Sequence, residues 1–415
     1  STTNAYTFSG LTSNTAYSIR VKVVDNNNRE SSVYSVSVTT DYVNPIVSIS
    51  TTQTANSITV NASVTKGSSN IAKYMYSKDG GSTWVTNTST SITNSYTFNN
   101  LFSKTSYSIK VKVVDSSSKE STAVSKSVTT SASTTTLAAK VKSLYTSQGS
   151  NGIYYHTSSL ANGAGDNSYR YAGANPNNYV CFGSTTSTCP SKNLYRIIGV
   201  FGDQVKLIHA TYATTVELGS EAHSENNYFY WGGSLSNRDT TWSKSTLNTN
   251  SLNGTFLTNL GTTWTNKIAT TTWNVGGGTN DNLQYSNAKT TYDYEVGANK
   301  SSTTYSAKIG LPYISEYYYA AAPTYWTYPG LDSTESFNDY RKSRDNNWMN
   351  GGQFYWTISP TPDFPGCVFY VFSVGYLGYY SLNHSTRVRP TFNLISSVKT
   401  SGGTGTQADP YRIEL

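Results

Sequence analysis

The chain has 415 residues, of which 13% are charged, 35 are tyrosine and three are cysteine, and its formal net charge is +7. Disordered chains combine low hydrophobicity with high net charge, so this composition excludes a disordered chain. Soluble proteins usually carry about 25% charged residues, and the low charge content here argues against a cytosolic enzyme. The composition also excludes a small disulfide-dense scaffold, and at roughly 100–200 residues per domain the length predicts two to four domains.

The pattern of apolar and charged residues excludes two classes of partner. No run of about 18 apolar residues occurs, so this segment has no membrane span. Lysines of the first part occupy alternate strand positions, as at Lys110 and Lys112, which indicates a solvated strand face and no nucleic-acid partner. A chain rich in Ser, Thr, Asn and Tyr predicts an extracellular, cell-surface or virion location. Because the chain begins in mid-pattern at Ser1, we interpret it as a fragment of a longer exported protein.

An internal repeat organises the first part of the chain. Residues 5–40 match residues 95–130 at an offset of 90 positions, and about 100 residues is the size of a sandwich domain. Within the repeat, YSIKVKVVD alternates apolar and polar residues, which predicts a half-buried strand. The Gly80-Gly81 pair predicts the turn of a hairpin within residues 74–84.

The residues that precede this strand, Leu101 and then Thr105-Ser106-Tyr107, resemble the tyrosine corner of a fibronectin type III module. The resemblance implies all-β fibronectin type III/Ig-like sandwiches, with residues 1–41 as the second half of one module and residues 42–131 as a complete module. Half a sandwich cannot bury its core, so we expect upstream sequence in the natural protein or poor order in this half. The modules contain no His and no Cys, and we expect them to act as spacers.

The alternating apolar and polar pattern that predicts strands ends after residue 131. Leu137, Val141 and Leu144 recur at helical spacing, so residues 132–148 predict a linker helix that opens the last domain. Residues 149–415 contain no repeat and are predicted to form one domain with long loops. In that domain YRIIGVF and VKLI are apolar strands joined by Gly202-Asp203, which predicts a hairpin.

The last domain carries a family resemblance in an ordered series of stretches. They are residues 171–201, 205–208, 309–320, 356–360 and 387–394, followed by SGGTGTQADPYRI. Together they resemble a surface domain of Gram-positive bacteria and their phages that is similar to the formylglycine-generating-enzyme branch of the C-type lectin fold. The resemblance implies a C-terminal mixed α/β C-type-lectin-like ligand-binding domain with a small antiparallel sheet. Those relatives use a reactive cysteine pair in the C-terminal half, where this chain has only Cys367, so oxidase activity is not implied.

Cysteine spacing predicts one local disulfide. Cys181 and Cys189 bracket a Gly/Ser/Thr loop, and in an exported protein this spacing favours a bond between them. A zinc site is disfavoured because no His or second cysteine pair flanks the loop.

Catalytic and metal-binding motifs are absent. The four histidines form no HExxH motif and GxSxG does not occur, so we predict no catalytic residue, no enzyme activity, no metal ligand and no cofactor. A structural Ca²⁺ at Asp281 and nearby asparagines is left open. A carbohydrate-active enzyme would need a pair of carboxylates in a cleft, and the sequence offers no obvious pair.

Residues 357–386 are the predicted ligand-binding segment. They combine a dense aromatic set with one charge and repeated Pro and Gly breaks, and Tyr-rich loops provide large, rigid contact area at low entropic cost. The predicted ligand-binding residues are Asp363, Phe364, Phe369, Tyr370, Phe372, Tyr376, Tyr379, Tyr380, Leu382 and His384. The alternative is that the aromatic side chains are core. We expect a majority of Tyr370, Phe372, Tyr376, Tyr379 and Tyr380 to be exposed together on one face.

The same segment resembles a variable region of the kind diversified by a retroelement in C-type-lectin-fold proteins. Such diversification mutates adenines in Asn codons and cannot produce Lys, Glu, Gln, Met or Trp. These five types supply 45 of the 415 residues but none of residues 357–386. The alternative is an undiversified relative with a Tyr-rich loop.

The sequence therefore predicts an extracellular or virion-surface adhesin or receptor-binding protein. Its partner would be a protein or glycan ligand on another cell surface. The alternative is a structural subunit of a surface appendage or phage tail, a homo-oligomer in which the aromatic side chains are buried between copies.

Overall fold

The computed structural model describes residues 4–328 and 343–415. The chain divides into two compact units, Ser1–Ala132 and Ser133–Leu415. Across the described ranges, every helix is too short or too polar to cross a membrane.

The first unit is built from antiparallel strands. They are β1 (Ala16–Val21), β2 (Tyr34–Thr39), β3 (Ile46–Gln53), β4 (Ile58–Thr65), β5 (Ile71–Ser77), β6 (Val85–Thr88), β7 (Thr93–Phe98), β8 (Ser106–Asp115) and β9 (Val124–Thr129). One sheet has the order β3-β4-β7 and a second has the order β6-β5-β8-β9, while β1 pairs with β2. The hairpin predicted at Gly80-Gly81 is confirmed, since Tyr76 pairs with Val85 across it.

Side-chain alternation builds the core between the two larger sheets. In β4, every second residue from Ile58 to Val64 is buried and those between are not, as expected for strands whose successive side chains face opposite ways. They pack with Val111 and Val113 of β8 in one apolar cluster. Residues 42–131 therefore form a fibronectin type III-like β-sandwich.

Both repeats contain the predicted tyrosine corner. The Phe102 backbone N–H donates to the Tyr107 hydroxyl at 2.9 Å, and the Thr12 N–H donates to the Tyr17 hydroxyl at 2.9 Å. The tyrosine-corner hydrogen bond is therefore present in the first repeat, although β1 and β2 form only a two-stranded ribbon.

The apolar side chains of that ribbon are exposed where their repeat equivalents are buried. Val23 is 67% exposed, whereas Val113, 90 residues later, is fully buried. The residue type is the same in both places. The difference arises because β8 is covered by a second sheet, whereas within the described residues no second sheet covers the β1–β2 ribbon, and Val23 lies two residues beyond the end of β1.

The second unit is a mixed α/β structure. Its strands are β10 (Ile153–Tyr155), β11 (Tyr169–Tyr171), β12 (Tyr179–Cys181), β13 (Leu194–Phe201), β14 (Gln204–His209), β15 (Phe229–Tyr230), β16 (Thr271–Asn274), β17 (Thr304–Ala307), β18 (Ile309–Gly310), β19 (Tyr355–Pro360), β20 (Cys367–Val371), β21 (Leu377–Ser381), β22 (Ser385–Thr386), β23 (Thr391–Asn393), β24 (Thr400–Gly402) and β25 (Tyr411–Ile413). Its α-helices are α1 (Leu137–Ser143), α2 (Thr215–Leu218), α3 (Phe256–Leu260), α4 (Thr262–Thr265), α5 (Asn280–Leu283), α6 (Ala288–Glu295) and α7 (Ile314–Ala320), and a π-helical stretch covers Leu247–Thr255.

A nine-stranded central sheet organises this unit. Seven strands follow the order β18-β23-β14-β13-β12-β25-β24, while β11 also pairs with β13 and β10 pairs with β11. The predicted hairpin at Gly202-Asp203 is confirmed, since Phe201 pairs with Gln204. The strand pair β12 and β25 is parallel.

Helix α1 belongs to this second unit. The Thr136 hydroxyl caps it by accepting from the Ala139 N–H at 3.1 Å. The helix covers only Leu137–Ser143 and is therefore shorter than the predicted range of residues 132–148. The Leu137 N–H donates to the Val398 carbonyl at 2.8 Å, and this bond ties the start of the unit to its last strands.

Candidate functional site

The predicted binding segment forms most of a small antiparallel sheet with the order β19-β20-β21. The register pairs Phe369 with Tyr379 and Val368 with Tyr380. Since side chains alternate along a strand, Tyr370 and Tyr380 share one face, and Phe369 and Tyr379 share the other.

The structure corrects part of the predicted ligand-binding set. Phe369 and Leu382 are fully buried and Tyr370 is only 2% exposed, so these three side chains do not lie on an open surface. Among the five aromatic residues expected to be mostly exposed, Tyr380 alone reaches 39%. The other three are half-buried: Phe372, Tyr376 and Tyr379. The prediction that a majority of the five would be exposed was wrong, because the strands pack against the core of the unit.

The exposed and half-buried rings nevertheless contact one another and the buried Tyr370 ring continuously, and we call this group the aromatic patch. It consists of Phe354, Tyr370, Phe372, Tyr376, Tyr380 and His384. Phe372 stacks on Tyr376 with ring centroids 3.7 Å apart and lies 4.3 Å from Tyr370. Tyr370 contacts Tyr380 at 4.9 Å, and Tyr380 contacts His384 at 4.1 Å. Tyr380 and His384 are exposed and Phe372 and Tyr376 are half-buried, so solvent reaches the patch from one side.

The centre of the aromatic patch contains a buried hydroxyl and a closely packed glycine. The Tyr370 hydroxyl is buried without a hydrogen-bond partner among the described residues, and burial raises the pKa of this phenol well above its usual range. Opposite it, Gly378 lies against the Phe372 ring, which would be 2.7 Å from an added Cβ. A side chain at residue 378 would therefore displace Phe372.

Two other predicted ligand-binding residues lie outside the aromatic patch. Phe364 stacks on Tyr379 at 4.3 Å, with ring planes 13° apart. Asp363 accepts a hydrogen bond from the Asn280 backbone N–H at 2.6 Å, so its carboxylate fixes the start of α5. No group of three or more potential metal ligands occurs within residues 4–328 and 343–415, and Asp281 is exposed on α5.

The structure contains the disulfide between Cys181 and Cys189, with sulfurs 2.05 Å apart. Arg412 of β25 donates to the Thr186 and Ser187 carbonyls within the loop, so the loop is held at two points. Cys367 is free and half-buried, and burial raises the pKa of its thiol.

Sequence reasoning missed a cavity of about 230 Å³ in the second unit. Its floor is one face of the central sheet, where Lys206 of β14 pairs in register with Asn393 of β23. Arg170 on β11 and Glu316 at the start of α7 also line it. The available signal was a single charged residue inside each of two otherwise apolar strands, YRY and VKLI.

Two buried ion pairs organise this cavity. Arg170 contacts Asp166 at 2.6 Å, and Lys206 contacts Glu316 at 2.5 Å. Burial opposes ionisation of Asp166, but the charge of Arg170 and hydrogen bonds from Ser168 outweigh it and lower the pKa of Asp166 to about 2. Burial lowers the pKa of Lys206, and the Glu316 carboxylate partly offsets this.

A third carboxylate lies behind the cavity. Glu295 is buried and accepts hydrogen bonds from the Ile314 and Ser315 backbone N–H groups at 2.9 and 2.8 Å. Burial raises its pKa despite these bonds. Glu295 therefore fixes the start of α7 and, through it, the position of Glu316.

Comparison with known proteins adds fold-level likeness only. No family model matches the chain, and no curated protein matches it. Domains d3–d4 of the rat CD45 extracellular region are similar at 18% identity, covering 31% of this chain and 70% of that chain with a TM-score of 0.22. The fibronectin(III)-like modules of Clostridium thermocellum CbhA are similar at 19% identity, covering 28% of this chain and 63% of that chain with a TM-score of 0.19. The chicken CNTN1 FN1–FN3 domains are similar at 17% identity, covering 31% of this chain and 46% of that chain with a TM-score of 0.19.

Proposed function

We propose that this chain is an extracellular binding protein of a cell or virion surface. In this proposal, fibronectin type III-like modules carry a C-type-lectin-like domain, and the aromatic patch of that domain contacts a protein partner without catalysis. The observation that carries the proposal is the aromatic patch: six rings in continuous contact, of which Tyr380 and His384 are exposed and Phe354, Phe372 and Tyr376 are half-buried.

The chemistry of the aromatic patch favours a protein partner. Interface centres are enriched in Tyr and Phe, and five of the six rings of the aromatic patch are Tyr or Phe. The exposed Tyr380 hydroxyl can donate its proton to an acceptor that a partner brings, whereas the Tyr370 hydroxyl is buried beneath it. The few residues at such a centre supply most of the binding energy.

The C-type-lectin-like assignment of residues 149–415 rests on the ordered sequence stretches. It is supported by a mixed α/β unit with an antiparallel sheet, short helices and long connections. The start of this unit is tied to its last strands by the Leu137 to Val398 hydrogen bond.

A diversified segment would vary in a pattern that the structure specifies. Phe372, Tyr376, Tyr380 and His384 have side chains that solvent reaches and would vary, whereas Phe369 in the core would stay apolar, because truncating a buried Phe costs about 3–5 kcal/mol. Sequencing this locus from several isolates tests the hypothesis. Variation concentrated at the four surface positions supports diversification, and an invariant segment contradicts it.

Binding to intact cells tests the function. Fluorescently labelled chain is incubated with a panel of Gram-positive cells, before and after the cells are treated with protease or with periodate. We expect binding that protease removes and that Tyr380→Ala weakens at least about tenfold, as for a residue at an interface centre. Tyr285→Ala is the matched control, because Tyr285 is 43% exposed and lies outside the aromatic patch.

Three outcomes contradict the proposal. Equal binding by Tyr380→Ala and the unchanged chain would remove the aromatic patch from recognition. Loss of binding after periodate alone, together with weaker binding by Tyr380→Ala, would identify a glycan as the ligand of the aromatic patch. Concentration-dependent self-association that Tyr380→Ala abolishes would instead favour the structural subunit, with the aromatic patch buried between copies.

A further inference from the structure

The cavity above the central sheet shares no residue with the aromatic patch. Its floor carries Arg170, Gln204 and Lys206, and its walls include Trp273 of β16 and Tyr292 of α6. We infer that this cavity binds one neutral sugar ring, as a free monosaccharide or as the end of a glycan, and that it is a second binding site separate from the aromatic patch.

The charges in the cavity favour a neutral ligand. Asp166 neutralises Arg170 and Glu316 neutralises Lys206 at ion-pair distance, so the four lining charges cancel. The side chains of Arg170, Lys206 and Glu316 are at most 6% exposed. A charged ligand would have to compete for one member of a buried pair and leave the other uncompensated, which is strongly unfavourable.

Buried ion pairs are weak contributors to stability, since apolar residues of similar volume are often at least as stable. Their concentration at the floor of a concave site is therefore better explained by ligand binding than by folding. Aromatic rings keep the cations in place: Lys206 lies 4.8 Å from the Trp273 ring centroid, and Arg170 lies 4.7 Å from that of Phe201.

The polar groups of the cavity that have no hydrogen-bond partner could bind the hydroxyl groups of a ligand. Arg170 donates through Nε to Ser168 and through Nη2 to Asp166, so Nη1 has no acceptor among the described residues. The side-chain amides of Gln204 and Asn274 line the cavity and likewise have no hydrogen-bond partner within the described ranges. An amide both donates and accepts, and a hydroxyl does the same, so this mixed set matches a polyhydroxylated ligand better than a pure acceptor such as a carboxylate.

Size and wall chemistry limit the ligand to one ring. Pockets for drug-sized ligands measure about 300–1,000 Å³, and this cavity measures about 230 Å³. The half-buried rings of Phe201 and Tyr292 present apolar, electron-rich faces. The C–H face of a pyranose can pack against such a ring while its hydroxyls reach the amides.

Saturation-transfer difference NMR on the full chain tests the inference. The probes are galactose, glucose and N-acetylglucosamine as neutral sugars, with galacturonate and glucosamine as charged comparisons. We expect transfer to at least one neutral sugar, and an affinity about tenfold lower in Gln204→Ala and in Asn274→Ala, as for the loss of one hydrogen bond. These side chains are half-buried and hydrogen-bond no other side chain, so both variants should fold.

Controls separate this site from others on the chain. Gln407→Ala, at an exposed glutamine away from the cavity, should leave sugar binding unchanged. Tyr380→Ala should also leave it unchanged, so failure of the aromatic-patch proposal does not affect this test. Absence of transfer to all three neutral sugars overturns the inference. Preferential binding of galacturonate or glucosamine, or full affinity in both cavity variants, overturns it as well.

Discussion

The two faces of the β20–β21 hairpin should respond differently to the loss of an aromatic ring. Phe369 is fully buried and Tyr380 is 39% exposed, although they lie on adjacent strands. Truncating a buried Phe to Ala removes its apolar contacts and leaves a cavity, which costs about 3–5 kcal/mol. Truncating an exposed ring usually changes stability by less than about 1 kcal/mol. We therefore expect Phe369→Ala to destabilise the second unit by about 3–5 kcal/mol and Tyr380→Ala by less than about 1 kcal/mol.

Urea unfolding followed by tryptophan fluorescence measures this difference. All tryptophans except Trp84 lie in the second unit, so emission reports mainly on that unit. The free energy of unfolding is extrapolated linearly, and unchanged m-values show that the variants unfold from comparable native states. A cost above about 2 kcal/mol for Tyr380→Ala would assign it to the core. A cost below about 1 kcal/mol for Phe369→Ala would refute the burial argument for this face.

The repeat offers a second matched pair: Val113→Ala should destabilise the sandwich by roughly 2–3 kcal/mol, while Val23→Ala, 67% exposed, should change stability by less than about 0.5 kcal/mol. Equal effects in urea unfolding would contradict the role given to the covering sheet. Burial and the nearby Arg170 charge lower the pKa of His156 to about 3, so below its unfolded pKa of about 6.5 the unfolded chain binds a proton that the folded chain does not. The free energy of unfolding should therefore fall by about 2 kcal/mol from pH 7 to pH 5. His156→Phe should remove this loss, and a variant with the same pH dependence as the unchanged chain would refute the role of His156. Replacing both Cys181 and Cys189 by Ser should lower the free energy of unfolding by about 2–3 kcal/mol through loop entropy, and an unchanged urea midpoint under non-reducing conditions would contradict this.

Features that depend on neighbouring residues could be predicted from the sequence. The hairpin at Gly202-Asp203 follows from two apolar strands and a turn pair, and the bond from the Phe102 N–H to the Tyr107 hydroxyl spans five residues. Alternation along YSIKVKVVD predicted a half-buried strand, and in β8 the side chains of Ile109, Val111 and Val113 are buried while Lys110 and Lys112 between them are not. These interactions are short in sequence, so residue type and spacing suffice to specify them.

Features that depend on what covers a strand could not be predicted in this way. Val23 and Val113 occupy equivalent repeat positions, yet one is exposed and the other is buried. Phe369 and Tyr370 are adjacent, so their side chains face opposite sides of the sheet, and the sequence did not show that both are buried. The cavity is a stronger case, because Arg170, Lys206 and Glu316 are brought together from β11, β14 and α7. Period-two alternation states that a side chain faces one side or the other, and only tertiary packing decides which side meets protein and which meets solvent.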